Sequence, residues 1–171
     1  MNIYPADILC VGGKGWISNQ IKKATHSPIS HSGLILANDP TFVIEAEFKV
    51  ITRPLDESIA GMECAYILHN RKLSPAQRDT ILNRASGFST DDYGILDIGL
   101  QLLDCTFHTR WFTDKLTFGL LNRFPICSYV VAESYKSAGE LFGFEARSIT
   151  PGDLFTFAVD HPQIYTVTRL I

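Results

Sequence analysis

The sequence has no run of about 18 apolar residues of the kind that spans a bilayer, no CxxC, HxxxH or HExxH pair, and no stripe of basic residues. Each absence removes a class. Fifteen basic residues against eighteen acidic ones give a net charge of -3 and a pI near 5.9, which leaves no electrostatic footprint for nucleic acid. The opening residues, Met1-Asn2-Ile3-Tyr4-Pro5, lack the basic segment and apolar stretch of a leader peptide, so a soluble, cytoplasmic chain without an integral membrane segment is expected. Four cysteines and five histidines without metal-ligand spacing predict reduced thiols, no zinc site and no cofactor. Glycines do cluster at Gly12-Gly13-Lys14-Gly15. They match neither a P-loop nor a GxGxxG fingerprint and predict a tight loop.

What is present is the composition of a folded domain. With 171 residues, 46% of them hydrophobic and 19% charged, the chain is long enough to bury a core without disulfides, and one domain over 1–171 is expected. Residues 7–11 predict a strand running into the glycine loop. Trp16, Ile17, Gln20, Ile21 and Ala24 recur at helical spacing and predict a short amphipathic helix that stops near Pro28. Strand formers over 31–37 and 42–51, separated by Asn38-Asp39-Pro40, predict a hairpin. A further strand is expected at 65–69. Ser74-Pro75 then reads as an N-cap and first helical position, for a helix ended by Gly87. A buried helix is expected over 95–103, a helical insertion or cover over 104–124, a helix over 126–138, and closing strands at 152–154 and 164–167. The sum is an α+β fold with an antiparallel sheet packed against helices.

Two residues stand out chemically. Cys127 falls at the start of the predicted 126–138 helix, where unpaired backbone N–H groups and the helix dipole favour a thiolate and can serve an oxyanion. His31 opens a strand and can accept the thiol proton. A nucleophile and base of this kind need a third group to orient the imidazole. If the turn is the three-residue Asn38-Asp39-Pro40, His31 faces Glu47 directly and has Glu45 diagonal to it on the same face. A two-residue turn would move both carboxylates to the opposite face. The residues alone leave Glu45 and Glu47 as alternatives.

The blocks Ala6-Asp7-Ile8-Leu9, Ile29-Ser30-His31-Ser32-Gly33-Leu34-Ile35, Val43-Ile44-Glu45-Ala46 with Val50 and Pro54-Leu55, and Ile126-Cys127-Ser128-Tyr129-Val130 resemble the circularly permuted NlpC-type papain-fold hydrolases. The YiiX/YebB-like group is the nearest in pattern, and lecithin:retinol acyltransferase-like proteins are more distant. In papain-like enzymes the cysteine precedes the histidine, so His31 before Cys127 agrees with permutation. The resemblance covers most of the chain, from Asp7 to about Leu154, and implies a permuted papain-like fold with a nucleophile at Cys127, a base at His31 and a third polar residue at Glu45. It implies a cysteine peptidase, amidase or acyl-transfer enzyme with a peptide, cell-wall or acyl-lipid substrate. Two features depart from the family: Ala6 stands where a glycine is usual, and 104–124 has no counterpart.

The remaining candidates have plainer readings. Cys10, Cys64 and Cys105 are expected as small core residues. Asp7 is expected in a turn or cap, and Tyr4, Tyr93 and Tyr129 in packing. His26, His69, His108 and His161 are expected on the surface or at strand ends. Phe107, Trp111 and Phe112 could line an acyl pocket.

Overall fold

The computed structural model describes residues 2–38, 40–47, 50–88, 127–143, 145–146 and 148–171. The expectations for 95–103 and 104–124, with Tyr93, Cys105, Phe107, His108, Trp111 and Phe112, lie outside the described residues.

Residues 8–12 show why the centre of the sheet falls where it does. All five residues of β1 (Ile8–Gly12) are buried, as a strand covered on both faces requires, and its apolar run is continuous rather than alternating. β2 (His31–Asn38), β3 (Thr41–Ala46) and β4 (Val50–Pro54) extend the sheet on one side. β5 (Cys64–Asn70) and β6 (Tyr165–Arg169) extend it on the other. The order is β4-β3-β2-β1-β5-β6, and every neighbouring pair is antiparallel.

Alternation along β1 divides the core in two. Ile8 and Cys10 point into the larger cluster with Leu34, Ile44 and Leu68, under the helices that follow. Leu9 and Val11 join Ile35, Val43, Ala65 and Ile67 on the other face, which Leu55, Ile59 and Met62 cover.

Five helices lie among the described residues: α1 (Trp16–Ala24), α2 (Leu55–Ile59), α3 (Pro75–Gly87), α4 (Cys127–Ser137) and α5 (Pro151–Asp160). α3 begins with a reciprocal cap. The Gln77 N–H donates to Ser74 Oγ at 3.3 Å and the Ser74 N–H to Gln77 Oε1 at 3.0 Å, and Pro75 at the first position sacrifices no hydrogen bond. α4 buries Cys127, Val130, Val131, Ser134 and Tyr135, a 3-4 spacing that makes one continuous face. That face lies against α3 and β2.

Two expectations about elements are corrected. Residues 42–51 form two strands, since β3 turns back after Ala46 and Ala46 pairs with Val50; the hydrophobic alternation carries through the turn with no glycine or proline to mark it. Residues 152–154 belong to helix α5. There the Asp153 N–H donates to Thr150 Oγ1 at 3.1 Å, the Thr150 N–H donates to Asp153 Oδ2 at 2.8 Å, and Pro151 follows the cap.

Ala6 has a φ of 65°, in the left-handed region that favours glycine. The fully buried Tyr135 donates its hydroxyl to the Ala6 carbonyl at 2.7 Å, which helps hold that conformation. Burial and Tyr165 are the main reasons this phenol is pushed well above its ordinary value.

Candidate active site

His31 and Glu45 share one face of the sheet, and the way they come to share it differs from either turn geometry considered alone. Asn38 pairs with Thr41, so the hairpin closes with two residues between them. On its own that register would put both carboxylates on the wrong face. A β-bulge intervenes: Ala37 pairs with Phe42 but Ile35 pairs with Val43, leaving Leu36 as an extra residue. Beyond the bulge Gly33 lies opposite Glu45, which makes Glu45 diagonal to His31 on one face.

Gly33 gives that diagonal its room. A Cβ on Gly33 would lie 2.9 Å from Glu45 Cγ, 2.9 Å from the Ile44 carbonyl oxygen and 2.8 Å from Val43 Cγ1. The carboxylate side chain therefore crosses β2 over a bare backbone. Glu45 Oε1 reaches 3.5 Å from His31 Nε2, an ion-pair distance at which Nε2 has no well-formed hydrogen bond.

The other oxygen of Glu45 is held from two sides. Arg53 Nε lies 3.1 Å from Oε2, and Ser58 donates its hydroxyl to the same oxygen at 3.1 Å. Arg53 also reaches Glu47 Oε1 through Nη2 at 2.8 Å. The guanidinium thus joins the two candidate carboxylates, with Glu45 buried at 2% exposure and Glu47 exposed at 43%. Of the two, Glu45 faces the imidazole from inside, while Glu47 pairs with Arg53 at the rim.

Cys127 is the first residue of α4 and is buried. Burial alone would raise its thiol, but the charge and hydrogen bond of His31, with backbone N–H groups of Ser32 and Ser128, bring it below its ordinary value. Nε2 is turned to Glu45, so Nδ1 is the nitrogen left for the sulfur. For His31 burial acts downward; the Cys127 charge and hydrogen bond, with the Glu45 carboxylate 3.5 Å away, outweigh it and raise the imidazole to about 10. Burial pushes Glu45 up, whereas the close His31 imidazolium, Arg53 and Ser58 hold it below the usual carboxylate range. The favoured arrangement is a thiolate beside an imidazolium, backed by an ionised carboxylate.

The other cysteines make the contrast. Cys10 is fully buried, and desolvation, with the charges of Cys127 and Cys64 adding to it, pushes its thiol up and keeps it protonated. Cys64 is buried with its Sγ 3.7 Å from the Pro28 carbonyl oxygen. Tyr129 packs edge-on to Phe88 at 5.9 Å, as expected of a core ring. Arg53, Ser58 and Gly33 are the site residues that reading the sequence missed. For Gly33 a signal existed, since an isolated glycine inside a strand marks a close approach.

No family model and no curated protein matches the chain. Among solved structures, the crystal structure of the metalloprotein yiiX from Escherichia coli O157:H7 aligns with a TM-score of 0.64 at 23% identity, over 84% of this chain and 71% of that one. The two share a fold.

Proposed function

We propose that the chain is a thiol hydrolase of permuted papain-like fold that cleaves an amide, of the peptide or cell-wall kind, through an acyl-enzyme on Cys127. The observation that carries this reading is the convergence of three groups from separate elements: Cys127 at the head of α4, His31 on β2, and Glu45 on β3.

The chemistry follows from their order. The Cys127 thiolate attacks the carbonyl carbon, forming a C–S bond and placing the electron pair on oxygen. The first turn of α4 offers N–H donors and a positive dipole end to that oxyanion. As the intermediate collapses, the C–N bond breaks and His31 delivers its proton to the leaving amine. Neutral His31 then takes a proton from water, the hydroxide attacks the thioester, and the C–S bond breaks to restore the thiolate. Glu45 keeps Nδ1 on the sulfur side and steadies the imidazolium.

The structural neighbour is described as a metalloprotein, and three donors here lie close enough together to bear on a cation. His31, Glu45 and Glu47 each offer an atom within 4.8 Å of the others. Arg53 already pairs with both carboxylates, at 3.1 and 2.8 Å, and a divalent ion would have to displace that guanidinium. The set fits an ion-paired orienting group better than a metal site.

The test is acylation. Incubation with p-nitrophenyl acetate should add one acetyl group at Cys127, seen by peptide mass spectrometry, and C127S and H31A should remain unmodified there. Acetylation of other residues only, or equal acetylation of Cys127 in H31A, contradicts the reading.

A further inference from the structure

α1 differs from the other four helices among the described residues, because none of its residues is buried. Its first residue, Trp16, is 71% exposed, and Ile17 beside it is 49% exposed. A tryptophan and an isoleucine presented together to water are a poor surface for a free protein and a good one for an apolar partner.

Charge narrows the partner. Between Asp7 and Asp39 the sequence carries Lys14, Lys22 and Lys23 and no carboxylate, in a chain whose net charge is -3. Lys22 pairs with Glu63 and donates to the Gly13 carbonyl at 2.8 Å. Lys14 and Lys23 are exposed and form no ion pair with a described residue. Trp16, Asn19 and Lys23 follow one another at i, i+3 and i+7, so they share a face of α1, and Lys14 stands just before the helix. Two carboxylates among the described residues lie near α1: that of Glu63, which Lys22 pairs with, and that of Asp153, beside Gly152 at the far end, which the Thr150 cap engages. An aromatic-aliphatic edge flanked by two exposed lysines, with the neighbouring carboxylates already paired or capped, is the pattern of an interfacial helix.

Position gives the surface a purpose. β1 leads directly into the glycine loop before α1, and its Val11 lies opposite His31. The Gly13 N–H donates to Ser30 Oγ at 3.0 Å, next to His31 in sequence. The head of α1 therefore lies at the same end of the sheet as the imidazole.

We infer that the Trp16–Ile17 edge of α1, flanked by Lys14 and Lys23, is a docking surface for an anionic phospholipid bilayer. Lysines near such a surface contribute about fivefold each to binding, and the contribution falls with salt. One tryptophan and one isoleucine make the attachment reversible. Docking by this edge brings the His31 end of the sheet toward the lipid surface, where a membrane-borne acyl or amide group would be at hand.

The experiment uses the full chain with vesicles of phosphatidylcholine alone or mixed equally with phosphatidylglycerol. The protein should sediment with the mixed vesicles and not with the neutral ones, and 0.5 M salt should release it. Trp16 emission, taken as the difference between wild type and W16F, should shift to the blue on binding. W16A/I17A and K14E/K23E should each lose about tenfold or more in binding while keeping the wild-type circular dichroism, since α1 buries no residue. C127S should bind like wild type, so that docking and thiol chemistry stand or fall separately. Four results would overturn the inference: no sedimentation with the mixed vesicles; binding that both double variants retain; Trp16 already shielded from acrylamide without lipid, which would mean that the chain covers it; or a concentration-dependent dimer that W16A/I17A abolishes.

Discussion

Two buried carboxylates in this molecule each hold a histidine and an arginine, at opposite ends of β1. Asp7, fully buried, lies 2.8 Å from His69 Nδ1 and 3.0 Å from Arg78 Nη1, and accepts the Tyr4 N–H at 2.9 Å. Glu45, nearly as buried, lies 3.5 Å from His31 and 3.1 Å from Arg53. By composition the clusters are the same. They differ in what the far side of the imidazole meets: Tyr4 packs on His69 at a tilt, with centroids 4.7 Å apart, whereas His31 meets the sulfur of Cys127. The carboxylate–histidine–arginine trio is therefore a way of holding a ring, and the thiol at the helix start is what turns one copy into a candidate site. At Asp7 the contacts are tighter and Arg78 also donates to the carbonyls of Pro5, by Nη1, and Asn70, by Nη2 at 2.8 Å. That cluster ties the lead-in to β1 to β5 and α3.

The comparison can be broken by removing each part in turn. Asp7→Ala strands an arginine and a histidine around a fully buried vacancy, and should cost about 3 kcal/mol or more of unfolding free energy in urea titrations. It should leave the alkylation rate of Cys127 in the folded protein unchanged, and His69→Ala should do the same. Glu45→Ala should cost less, about 1–3 kcal/mol, because its contacts are longer than those of Asp7 and Arg53 is more exposed than Arg78. It should slow alkylation of Cys127 at pH 6 by about tenfold, the equivalent of one pKa unit. Gly33→Ala tests the path of the Glu45 side chain: the crowding at 2.9 Å should destabilise by about 1–3 kcal/mol and lower Cys127 reactivity in the direction of Glu45→Ala. Ser58→Ala removes one of two contacts to Oε2 and should have the smallest effect, about 1 kcal/mol.

The site residues were legible in the sequence to the extent that their signals were local. Cys127 could be read from helix-start context, His31 from a strand start, and the α3 cap from Ser74-Pro75. The same grammar stood at Thr150-Pro151 with Asp153, yet a short run of apolar residues around it read as a strand. The β3–β4 turn lacked turn residues and was invisible for that reason. The hairpin register was hidden more deeply, because the bulge at Leu36 reverses the consequence of a two-residue turn and no residue type announces it. Arg53 and Ser58 matter only once β4 and α2 are folded against β3, a relation that spacing along the chain does not carry.

Cys127 and His31 also set a pH window. As pH falls, the lowered thiol regains its proton and the ion pair is lost. As pH rises, the imidazolium, raised to about 10, gives up its proton and the pair is lost from the other side. Its stabilising contribution lies between those limits.

Whether His31 makes Cys127 a thiolate is read from the rate of iodoacetamide alkylation at Cys127 against pH, followed by peptide mass spectrometry in wild type and H31A. At pH 6 an ordinary thiol of pKa about 8.5 is ionised in about one molecule in 300. Wild-type Cys127 is predicted to react at pH 6 well above that baseline, by about tenfold or more after allowing for the weaker nucleophilicity of a low-pKa thiolate, and H31A to fall to the baseline or below it. A wild-type profile that follows an ordinary or raised thiol titration, unchanged in H31A, would show that His31 does not activate Cys127.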